Sequence, residues 1–335
     1  MRNVLRFAVL LPIGAIVSAC SAPAQIGGLG AVPQMQAGHA RALLSKSWMK
    51  PAASSDDLVY VSNADGEVTV YDYATQALVG VLAAFETPRG ECVDRSGNIY
   101  IADAGTDEIY EYAHGGTKAI KTLDDSPNEP NECSVDPTTG NLAVANLEGG
   151  SSKQGSIALY ARASGKPTLY IDASIGSFAG CAYDDKGSLL TSGHEGSSNA
   201  SLFAWLPPHG SALVNINVPG PKSGWMWFGI SGIQWDGQFF ALDDGGDGVY
   251  QVALIHGQPY WVSQTQFDNR YAGSAEYGIY DPNPKRQGKE ILVGFNDESY
   301  SSGVDYYPYP AGGESGPTFT HGIDDPFAIS ISLAK

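Results

Sequence analysis

Positive charge is what this 335-residue sequence has least of. Lys and Arg number 19 against 36 Asp and Glu, for a formal charge of −17. A nucleic-acid-binding surface needs clustered Lys and Arg facing phosphates, and adsorption to anionic lipid needs the same, so neither is expected. Long apolar runs are also scarce: the stretch Phe7–Val17 falls short of the roughly 20 residues of a spanning helix. A Gly-rich phosphate loop, a CxxC pair and an HExxH helix are missing, and histidines 39, 114, 194, 209, 256 and 321 lack the spacing of a zinc site. Glycine (41) and proline (20) are plentiful, and 11 Phe, 18 Tyr and 6 Trp stand within an apolar share of 43%. Such a chain turns often around a large packed core, which excludes global disorder.

The N-terminus reads as a secretory address. Arg2 and Arg6 precede the apolar run, and the small residues Ser18 and Ala19 lead into Cys20. Val17-Ser18-Ala19-Cys20 resembles the lipobox of bacterial lipoproteins. The resemblance implies a signal peptide over 1–19 and a diacylglycerol on the Cys20 sulfur, an anchor in the cell envelope and, in a Gram-negative cell with Ser at 21, in the outer membrane. The plainer alternative is an ordinary cleaved signal with an incidental Cys. Residues 20–56, rich in Gly, Ala, Pro, Ser and Gln, read as a flexible tether. Within it His39–Met49 is expected to form one or two helical turns whose Leu43, Leu44, Trp48 and Met49 dock on the folded body.

From residue 57 onward one unit recurs: an apolar strand ending in Asp, a turn with Gly, then a second β-rich strand. The strand-end aspartates Asp94, Asp136, Asp184, Asp236 and Asp281 are 42, 48, 52 and 45 residues apart. Asp accepts bonds from backbone amides just beyond it and Gly supplies positive φ, so each pair marks a tight turn. Two more strands follow in each unit. Four-stranded units at this period are the signature of a β-propeller. Residues 57–85 lack an inner strand, while 324–335 supply one with nothing after it. Together these halves make one blade, so the expected fold is all-β: a six-bladed β-propeller of four-stranded blades over 57–335, closed by pairing of the C-terminal strand with the first blade.

The segment Pro88-Arg-Gly-Glu-Cys-Val-Asp-Arg-Ser-Gly-Asn-Ile-Tyr-Ile-Ala-Asp103 resembles the NHL-type repeat, with the likeness thinning after the third unit. The chain is thus similar to six-bladed propellers of the NHL and gluconolactonase-like superfamily, whose members include scaffolds, receptors, lactonases and lyases.

Propeller topology puts the loops entering inner strands and those leaving second strands on one face. There it gathers Asn63, Asp103, Asn146, His194, Asp243 and Asn296 with Arg89, Glu91, Asn131, Glu132, Trp227, Glu276 and Asp325. Oxygen-rich side chains of this kind suit Ca²⁺ or another hard divalent cation, and they equally suit the capping of strand ends. The gluconolactonase-like resemblance implies a cation at this mouth, with Glu91, Asn131, Asn146 and Asp243 in position by topology. Only Pro130-Asn131 follows the family's pattern, with Glu132 where the family has Gly. The run at 243–248 lacks the spacing of an EF-hand and reads as a turn.

Cys92, Cys133 and Cys181 fall on inner strands. Cys92 lies two residues before its Asp, the others three, which turns it to the opposite side of its strand. The expectation is three buried thiols filling space between blades, without a bridge. The aromatic clusters Trp225–Phe228 and Tyr306–Tyr309 are expected to pack between blades, with a stacking surface for sugars or proline-rich peptides as the alternative.

Three functions fit: a lipid-anchored module binding a protein, glycan or small molecule through an acidic, aromatic-edged face; a metal-dependent lactonase-like hydrolase; or a purely structural surface protein. The expected oligomeric state is a monomer.

Overall fold

Short alternating strands punctuated by Asp–Gly turns leave each sheet with two apolar faces, and neither face can be buried within a single sheet. The computed structural model describes residues 46–150, 153–195, 200–222, 230, 232–243, 248–267, 277–280, 289–296 and 302–335. These residues form six antiparallel sheets in which strands follow one another outward from an inner strand. The inner strands are Pro326–Ser332 (blade 1), Pro88–Val93 (blade 2), Asn128–Val135 (blade 3), Ser177–Tyr183 (blade 4), Gly232–Trp235 (blade 5) and Tyr277–Tyr280 (blade 6). Each packs against the next, and the last against the first, so the sheets surround an axis.

The ring closes as the complementary half-units require. Val59, Tyr60 and Val61 pair with Ile331, Ser330 and Ile329, placing the C-terminal strand inside blade 1. Six apolar clusters fill the six gaps between neighbouring sheets. Between blades 1 and 2, for example, Tyr60, Val68 and Val70 meet Ile99, Ile101 and Tyr112. Full burial of each such side chain contributes about 1.5–3 kcal/mol, which is why the ring and not the single blade is the stable unit. Tyr306, Tyr307 and Tyr309 are buried in two of these gaps, as the packing reading expects.

The aspartates do what the repeat implied. Asp94 Oδ1 accepts the amides of Ser96 (2.7 Å) and Asn98 (2.9 Å). Asp184 Oδ1 accepts those of Lys186 and Ser188, both at 2.8 Å. Gly97 (φ 82°) and Gly187 (φ 84°) take the left-handed residue of these turns. Asp281 lies outside the described residues.

Two expectations are corrected. Trp48 and Met49 form a short strand, not a helical turn, and add a fifth strand to the outer edge of blade 1. That edge offers unpaired backbone groups, which a strand satisfies and a helix does not. Met49 packs directly over Gly80, where any Cβ would collide with its thioether, while Trp48 remains 42% exposed. Leu43 and Leu44 lie outside the described residues.

The second correction is covalent: Cys92 and Cys133 form a disulfide with Cα atoms 5.6 Å apart, inside the distance a bridge tolerates. Opposite offsets do not separate these two cysteines. The forward side of one blade faces the backward side of the next, so a cysteine on each is what brings the sulfurs together. Both sit in the apolar cluster between blades 2 and 3. Cys181 is a free, buried thiol, as expected.

Candidate functional site: the propeller axis

The inner strands begin irregularly. The pairing of inner and second strands shifts between Pro88 and Glu91, skips Asn131 and skips Ala179 in blades 2, 3 and 4. Such bulges re-aim side chains, and here they build a polar chain around the mouth. Arg89 Nη1 donates to Asn131 Oδ1 (3.0 Å), and Asn131 Nδ2 donates to the Ala179 carbonyl (2.6 Å). Arg89 also pairs with Glu129 at 2.9 Å. The protein's own guanidinium thus already engages the Asn131 oxygen that the family resemblance would offer to a metal.

Further along the axis lies a cavity of about 210 Å³. It is lined by the later halves of the inner strands, among them Glu91, Glu132, Ser134, Tyr183, Gln234 and Ser330, with the disulfide in its wall. It therefore extends toward the Asp-turn end, away from the mouth that topology had picked out. Glu91 is buried; its Oε1 accepts the Ser62 hydroxyl at 2.7 Å, and its Oε2 has no hydrogen-bond partner. Burial pushes its carboxyl up to about 8, against the opposing effect of the Ser62 bond. Glu132 reaches across the axis, accepting the amides of Cys181 (3.1 Å, blade 4) and Ile233 (3.4 Å, blade 5). Burial holds its carboxyl well above the usual range, and the nearby negative charge of Asp243 adds to the rise.

The axis gathers only part of the expected set. Glu91 and Glu132 line the cavity, and Asp243 lies close enough to act on Glu132. Asn131 belongs to the mouth. Asn146 is buried, donates to Ser156 Oγ (3.1 Å) and is absent from the cavity wall. Asp103 latches the loop entering blade 2, accepting the amides of Glu86 (2.9 Å), Thr87 (2.6 Å) and Gly105 (3.2 Å). Asn63 does the same for blade 1, accepting from Asp324 N at 3.0 Å. Asp325 donates its own amide to Ser302 Oγ (3.1 Å). His194 closes the second strand of blade 4, and burial lowers its imidazole's affinity for a proton. Asn296 ends the second strand of blade 6. Its side chain, Trp227 with the rest of its cluster, Glu276, the turn after Asp243 and Cys20 lie outside the described residues. Among the described residues no three His, Cys, Asp or Glu side chains come together as a metal site.

Sequence reasoning passed over Ser134, Gln234 and Ser330. A signal was present for Ser134 and Gln234, which stand two residues before Asp136 and Asp236 as Cys92 does before Asp94.

No protein-family model matches the chain, and no curated protein matches it. Solved structures do. A chain of the nidogen/laminin complex superposes with a TM-score of 0.59 at 11% identity, over 83% of this chain and 99% of that one. A protein of unknown function from Bacteroides caccae superposes with a TM-score of 0.57 at 12% identity, with the same coverage. At such identities the likeness speaks for the fold alone, and it agrees with the six-sheet ring.

Proposed function

We propose that the chain is an exported, lipid-anchored binding module of the cell envelope, related to NHL-type propellers, which engages a protein, glycan or small molecule through its surface. What supports a binding module over a metal site is the commitment of the mouth's polar groups, and of Glu132 on the axis, to the fold itself. Glu132 serves two backbone amides, Asn131 joins Arg89 to Ala179, and Asp103 and Asn63 hold loops. A metal-dependent hydrolase requires three or four oxygens free to converge within about 2.3–2.6 Å of one ion if that ion is Ca²⁺. One of the similar folds was solved within a nidogen/laminin complex, which fits a scaffold used for protein binding. The anchor is tested by mass spectrometry of the mature N-terminus: Cys20 carrying acyl chains supports it, and an unmodified N-terminus elsewhere rejects it.

A lactonase-like hydrolase is the second reading, favoured by the unpartnered Glu91 Oε2 beside the axial cavity. Calorimetric titration of residues 46–335 with Ca²⁺, Mg²⁺, Mn²⁺ and Zn²⁺ separates the two. Stoichiometric heat that disappears in Glu91→Gln promotes the hydrolase; silence with all four cations leaves the binding module.

A further inference from the structure

Charge is unevenly spread around this ring. The third and outer strands of blades 1, 2, 3 and 6, with the turns between them, each include at least one Asp, Glu, Lys or Arg. In blades 4 and 5 the same regions contain none: residues 200–221 and 248–267 are uncharged in a chain of net −17. The two hairpins are joined. Val214 pairs with Trp205, and Gly257 of blade 5 lies so close to the Trp205 ring that a Cβ would collide with it. Between them is a depression of about 510 Å³ walled by Trp205, Pro207, Pro208, Leu254 and Ile255. Its charged border is Lys186 and Asp184, the latter held by its own turn amides. Val214 (46%), Ile255 (54%), Tyr260 (52%) and Trp261 (37%) are exposed on this sector.

We propose that blades 4 and 5 form a self-association surface, on which a second copy of this chain packs as a two-fold dimer. Electrostatics selects the partner. A basic partner would be drawn to the acidic remainder of the surface. An acidic body meets least repulsion at the uncharged sector, and a second copy is acidic by construction. Charge depletion with exposed aromatic and aliphatic anchors is also the composition of interface cores. Contact is made by side chains and not by joining sheets. The outer strand of blade 5, Gln258–Gln266, carries Pro259 and a bulge at Val262, and both devices discourage strand addition.

Sedimentation of residues 46–335, which contain all six sheets and the closing pair, provides the test. The expected result is a concentration-dependent dimer whose affinity rises when salt goes from about 50 to about 500 mM, because screening removes repulsion between two acidic bodies. Ile255→Glu and Tyr260→Glu should each weaken it by about tenfold or more, whereas Ile120→Glu, equally exposed on blade 2, should leave it unchanged. Matching thermal melts establish that the variants fold. A monomer at every concentration and salt, an association weakened by salt, or equal sensitivity to Ile120→Glu would each overturn the proposal. Since it does not involve the axis, its failure leaves the binding-module reading standing.

Discussion

The gap between blades 2 and 3 and the gap between blades 3 and 4 are built alike around a cysteine, yet only one is cross-linked. Cys133 Sγ lies 3.9 Å from the Tyr100 carbonyl, and Tyr100 pairs with Cys92. Cys181 Sγ lies 3.8 Å from the Ala143 carbonyl, and Ala143 pairs with Ser134. The backward-facing thiol is therefore the same in both gaps. The forward-facing residue differs, Cys92 in one and Ser134 in the other. A bridge in this architecture requires cysteines of opposite offset on consecutive blades; equal offsets leave a buried thiol.

The largest expected effect comes from opening that bridge. It spans 41 residues, and a loop of this length restrains the unfolded chain by about 4 kcal/mol. Cys92→Ser should lose stability of that order in denaturant titrations, and reductant should bring the native protein down to the same value. Equal midpoints with and without reductant would remove the bridge from the account.

Glu91, beside the bridge, should impose the next largest effect. Its folded value of about 8 stands above the ordinary glutamate value of 4.5, so the folded state binds the extra proton. The unfolded state releases it first, and stability falls as pH rises from about 4.5 to 8, by up to a few kcal/mol. Glu132, raised for the same reason, acts in the same direction. Melting temperatures between pH 5 and 8.5 should fall less steeply in Glu91→Gln, which needs no proton to remain neutral, with the remaining slope left to Glu132. A wild-type melting temperature that climbs over this range contradicts the assignment.

Asp103→Ala, which strands three amides at the start of blade 2, should cost about 1–3 kcal/mol, read as a shift in denaturant midpoint. The smallest change concerns the unbridged gap. Ser134→Cys places a thiol opposite Cys181, and oxidation should abolish the free-thiol signal of residues 46–335, at little cost in stability. A doubled signal after oxidation would mean that the two gaps are not equivalent.

The six sheets and their closure were legible because Asp and Gly mark each turn and because the two ends carry complementary halves of one blade. The disulfide was misread because side-chain direction was compared strand by strand, whereas the relevant relation is between facing sides of two sheets. The axial site was half legible. Glu91 and Glu132 follow from topology, but depth along the axis depends on bulges at Gly90, Asn131 and Ala179 that no spacing announces. The polar residues of the mouth resolve into caps because a buried loop amide needs an acceptor whatever else the site does.

The pairing of Leu58–Asn63 with Pro326–Ser332 also makes closure depend on a single strand. Until Pro326–Ser332 is in place, the other strands form an arc with two raw ends. Those same residues then lock the seam from the far side, Ser330 Oγ onto the Glu91 carbonyl and Ser332 Oγ onto that of Gly97. A chain without that strand would keep nearly all of its sheets and still fail to become a ring.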